Sequence, residues 1–95
     1  MRFLVRLEAH LPPDLDGAEL ERLNAAETAR GAALRQAGVI EQIWRLEGRR
    51  ANVGVWQVVD RAELDRVLES LPLWRWLEVV EVTVLLPHPV ATASV

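Results

Sequence analysis

Residues 1–10, MRFLVRLEAH, alternate apolar Phe3, Val5 and Leu7 with polar Arg2, Arg6 and Glu8, the two-residue period of a strand. LPPDLDGAEL breaks that pattern with two prolines. Asp16 then offers a cap, and Glu19 three residues later completes a capping-box spacing, which predicts a helix from about Gly17 to Ala37 with Gly38 as its stop. Two β-rich runs follow, Val39–Leu46 and Ala51–Val59, and the polar EGRR between them predicts a hairpin. Asp60 and Glu63 repeat the capping-box spacing. Leu64, Val67, Leu68 and Leu71 mark the inner face of a shorter helix that ends near Pro72. LEVVEVTVLL is a last strand, and residues 87–95, PHPVATASV, are a tail.

The order β-α-β-β-α-β, within one domain spanning residues 1–95, predicts the α+β class and the ferredoxin-like arrangement: a four-stranded antiparallel sheet with two helices on one face. Val39, Ile43, Trp56, Val79, Val80, Val82 and Val84 are more apolar side chains than one helix layer covers. A second copy of the sheet is the economical cover for the other face, so a dimer is expected.

Composition narrows the function classes. Half of the 95 residues are apolar, as in a globular domain, and a chain this short gains buried surface by oligomerising. The eleven basic residues are all arginine, yet the net charge is −3, which argues against a nucleic-acid surface. Cysteine is absent, so disulfide and thiol chemistry are excluded. There is no charged-then-apolar leader and no apolar run of about 18 residues, so a soluble cytoplasmic protein with no membrane partner is expected.

One helix position breaks the pattern. On a wheel of 100° per residue, Leu20, Leu23 and Leu34 fall within about 60° of one another, and Glu27 falls between them, with Asn24 and Gly31 beside it. Such a glutamate either pairs with an arginine, or bends out to solvent, or sits desolvated with a raised pKa suited to proton transfer. A second group clusters at the hairpin. Trp44, Arg45, Arg49 and Arg50 surround a turn that Asn52 follows. The arginines either stay solvated or hold a substrate carboxylate, and Asn52 is a candidate donor to a developing oxyanion. Trp56, Trp74 and Trp76 wall a pocket or fill core and interface. His10 and His88 have no metal-ligand spacing and read as surface histidines, and no phosphate loop or nucleophile elbow is present.

These residues in this order resemble the muconolactone Δ-isomerases and their chloromuconolactone dehalogenase relatives. The resemblance rests on LPPDLD after the first strand, Glu27, GVIEQIWRLEGRRANVGVW with Trp44-Arg45, Gly48 and Ala51-Asn52, LPLW at 71–74, and His88-Pro89. It implies a dimeric α+β barrel assembled into larger rings, commonly a decamer. It also implies proton transfer, without any cofactor or metal, on a small unsaturated lactone carrying a carboxymethyl group, as in the breakdown of catechols. It places Glu27 as the proton carrier, Asn52 as the oxyanion donor and Arg45 as the carboxylate anchor, with Trp44, Asn24, Arg50 and Trp56 at the substrate. The chain departs from the family pattern at Asn24, Ala26 and Arg50, where relatives usually have lysine, an acidic residue and tyrosine. Two alternatives follow: a divergent relative acting on another enolisable substrate, or a non-catalytic ligand-binding or assembly protein.

Overall fold

The computed structural model describes residues 1–92. Its elements are β1 (Arg2–Ala9), α1 (Gly17–Gln36), β2 (Ile40–Arg45), β3 (Ala51–Gln57), α2 (Arg61–Glu69), β4 (Leu77–Leu85) and a single helical turn, α3 (Pro89–Thr92). The β-α-β-β-α-β order is the expected one. The tail adds α3, with Pro89 at the first helical position, where its missing N–H loses no bond. Residues 93–95 of the expected tail lie outside the described residues.

The strands form one antiparallel sheet in the order β2-β3-β1-β4. Cross-strand partners share a face, so the register defines the core. Phe3 pairs with Trp56 and Val84, and Val5 with Gly54 and Val82. Leu34 of α1 and Leu64 and Leu68 of α2 close over Phe3, Val5 and Leu7. Both helices therefore cover one face, as expected. Gly54 permits a tight fit, because a Cβ there would lie 2.8 Å from the backbone oxygen of Gln42 and 3.3 Å from Trp56 Nε1.

The helix ends differ in how well they match the pattern. The Asp60 carboxylate accepts the Glu63 N–H at 2.8 Å, a working cap. Asp16 makes no such bond, although α1 does begin at Gly17. Glu19, its expected capping partner, is instead ion-paired with Arg22 at 2.8 Å. The stop at Gly38 is as expected. Its φ of +79° lets Val39 N–H reach the Leu34 oxygen while Gly38 N–H reaches that of Arg35, a Schellman ending.

The second apolar face needs correction. Ile43, Trp56, Val79, Val82 and Val84 all pair with helix-side residues, so they belong to the covered face. Val80 is the extra residue where the β1–β4 register shifts, and Val39 precedes β2. The face away from the helices carries Leu4, Trp44, Val53, Val55 and Leu85 among Arg2, Arg6, Glu8, Glu78 and Glu81. Two register shifts, at Ile40/Gln42 and Arg6/Leu7, explain the difference: each moves the following residues to the opposite face. The open face is thus apolar in part and strongly charged in part.

Candidate active site

A cleft of about 370 Å³ lies at one end of the sheet, within the size range of small-molecule sites. Leu7 and Ala9 of β1 line it, with Leu73 and Leu77 from the segment entering β4. Arg45 ends β2, Asn52 is the second residue of β3, and the turn between the strands brings Arg49 and Arg50. Gly48, with φ +76°, takes the left-handed conformation that this turn requires. Glu27 enters from α1.

The misplaced glutamate on the wheel thus faces a cleft and not a sealed core. Its Oε2 accepts the N–H of Leu73 at 2.8 Å. Burial pushes its pKa above the ordinary carboxylate range, and the Leu73 hydrogen bond offsets part of that rise. No arginine pairs with it among the described residues. Arg49 Nε instead donates to Glu8 Oε1 at 2.8 Å, and Arg50 Nη2 to Asn24 Oδ1 at 3.0 Å. The Arg45 side chain has no partner among the described residues, nor does the buried Asn52 Oδ1. The cleft therefore presents a carboxylate, an uncommitted guanidinium and, on Asn52, an amide whose Nδ2 can donate to negative charge while its buried Oδ1 can only accept.

The sequence-derived candidates divide. Glu27, Arg45, Arg50 and Asn52 line the cleft, as does Arg49. Asn24 stands behind the lining, as the acceptor for Arg50. The two tryptophans expected at the substrate lie elsewhere. Trp56 is 1% exposed inside the core, where α1 and α2 close over it. Trp44 pairs with Val53 on the opposite face of the sheet and is 53% exposed. Trp74 packs against the core, and Trp76 carries the Arg75 guanidinium 4.9 Å above its ring. Sequence reasoning missed Leu73, whose contribution is a backbone N–H and so leaves no side-chain signal. His10 Nε2 lies 2.8 Å from Glu78 Oε1, and with Glu8 these three place their ligand atoms within 4.8 Å of one another. That juxtaposition across β1 and β4 has no sequence spacing. His88 Nδ1 accepts the Val90 N–H.

Sequence and fold both match known proteins. The profile of a family described as muconolactone delta-isomerase matches residues 1–91. Muconolactone Delta-isomerase 2 of Acinetobacter lwoffii is 40% identical over 88 residues, covering 93% of this chain and 91% of its own. Muconolactone Delta-isomerase of Acinetobacter baylyi is 32% identical, over 94% of this chain and 92% of its own. A crystal structure of muconolactone isomerase superposes with a TM-score of 0.89 at 33% identity, covering 99% of this chain and 97% of that one.

Proposed function

Because the chain belongs to the muconolactone delta-isomerase family, we propose that it shifts the ring double bond of muconolactone, or of a closely related unsaturated lactone, with Glu27 carrying the proton. Ionised Glu27 takes a proton from a ring carbon. The electron pair left behind spreads into a dienolate whose charge rests on the lactone's carbonyl oxygen. Protonated Glu27 then returns the proton to the ring carbon beside the carbonyl, which leaves the double bond shifted by one position. The same proton leaves and returns, so the balance needs no co-reactant. Asn52 donates to the dienolate oxygen, and Arg45 grips the side-chain carboxylate.

The observation that carries this reading is a half-buried carboxylate facing a cleft and left unpaired by three neighbouring arginines. A structural glutamate in that setting would be expected to pair with one of them. The same observation speaks against a non-catalytic binding protein. Ultraviolet absorbance of purified protein with muconolactone tests the activity directly. No change in the lactone spectrum would redirect the search to other enolisable lactones, for which the Asn24–Arg50 pair at the wall is the favouring feature.

Arg45→Met is expected to weaken substrate binding by about 1.5–3 kcal/mol, the range for hydrogen bonds to a charged group. Melting should change little, since Arg45 supports no neighbour among the described residues. An unchanged KM with a large melting loss would make it a structural residue.

We also propose a homodimer through the open sheet face, with larger rings built from it. Leu4, Val53 and Val55 are half-buried there, and Trp44 and Leu85 stand exposed. Light scattering at micromolar concentration should give a mass well above the 10.7 kDa monomer, and a monomer would overturn this assembly. No helix among the described residues is long and apolar enough to cross a membrane.

A further inference from the structure

Three of the four arginines around Glu27 are tied elsewhere. Arg30, three residues further along α1, donates from Nε and Nη2 to Ser70 Oγ at 3.2 and 2.9 Å. Arg49 is on Glu8, and Arg50 is on Asn24. Arg45 of β2 is the remaining cation. β1 and the segment entering β4 turn only Leu7, Ala9, Leu73 and Leu77 toward the cleft, none of them ionisable.

Asn24 and Glu27 are three residues apart on α1, so they share a face with Cβ atoms about 5–6 Å apart. The Arg50 guanidinium is thus anchored within one helical turn of the carboxylate without touching it. Arginine is long and carries five donors. Released from its anchor, it would find Glu27 as the acceptor of opposite charge in the same cleft, and a two-bonded pair is the favoured outcome. That pair would occupy the proton acceptor and withdraw a cation from the cleft wall.

We infer that Asn24 is a positioning residue: it holds the Arg50 guanidinium on the cleft wall and off Glu27, so that the site keeps both a free carboxylate and a second cation for an anionic substrate. The inference rests on the reading of Glu27 as the proton carrier. A neutral amide suits the task, because it accepts from Arg50 without placing a second negative charge beside Glu27.

The test compares wild type, N24A, R50M, N24A/R50M and E27Q. Two readouts are used: the pH dependence of kcat/KM on muconolactone, and a carbon NMR titration of the Glu27 carboxyl, whose signal E27Q identifies. N24A should move the acid limb and the NMR midpoint to lower pH by about one unit or more, the effect of a guanidinium closing on a carboxylate. In N24A/R50M both should return to the wild-type position, with KM raised as in R50M alone. An N24A midpoint equal to wild type would overturn the inference, as would a shift that persists in the double variant. Wild-type turnover in E27Q would instead sink the proton-carrier reading, while the NMR midpoints alone would still decide whether Asn24 keeps Arg50 off Glu27.

Discussion

Glu27→Gln is expected to lower turnover on muconolactone by about 10²–10⁴-fold, the contribution of a positioned acid–base group. Glutamine keeps the shape and can still accept the Leu73 N–H, so α1 and the cleft should survive. It cannot take a proton from carbon. The stability forecast has the opposite sign. Burial raises the folded-state pKa of Glu27 above its unfolded value. The folded protein therefore binds this proton more tightly, and the stability linked to it is fully present below the unfolded pKa and lost as pH rises through the folded one. The glutamine variant has no such proton and escapes that loss. Its melting temperature should match wild type in mild acid and exceed it slightly at neutral pH. The same raised pKa places the acid limb of wild-type kcat/KM above the ordinary glutamate range. A variant that melts several degrees lower at neutral pH yet turns over normally would make Glu27 a structural residue.

Trp56→Ala should cost about 3–5 kcal/mol, as large-to-small changes at buried aromatics do. That is a large share of the roughly 5–15 kcal/mol that holds a domain together. The side chain is among the largest fully buried ones, and it packs in the cluster with Phe3, Val5 and Leu64. Trp56→Phe should cost less, since it fills most of the space and removes an indole N–H that has no partner among the described residues. Urea unfolding measures both. A Trp56→Ala protein with unchanged unfolding and a raised KM would return this residue to the substrate wall.

Trp56 and Glu27 mark what the chain reveals before folding and what it hides. A carboxylate in a leucine stripe is an anomaly of one helix, and a wheel exposes it because 3.6-residue periodicity is strictly local. The same holds for Gly38 and Asp60, whose roles depend on neighbours within five residues. The face that a strand residue takes depends on register with other strands, and here two shifts intervene. Ile40 and Ile43, three apart, end on the same face for that reason, against simple alternation. Trp44 and Trp56 could not be assigned to cleft, core or open face without it. Contacts between distant segments were hidden altogether: Leu73 to Glu27 spans 46 residues, and Arg50 to Asn24 spans 26. The arginine-rich hairpin was legible as a cluster, but the pairing of Arg49 and Arg50, and the freedom of Arg45, were not.

The carboxylate proposed to carry the proton and the arginines that share its cleft stand on different pieces of chain. Glu27 belongs to α1, packed through Leu34 into the core, whereas Arg45, Arg49 and Arg50 ride on one exposed hairpin around Gly48. Loops tolerate change that packed helices do not. If Glu27 carries the proton, this division separates the proton transfer from the choice of substrate. On that reading, exchanging hairpin residues should change which anions bind while leaving Glu27 and the packing of α1 in place.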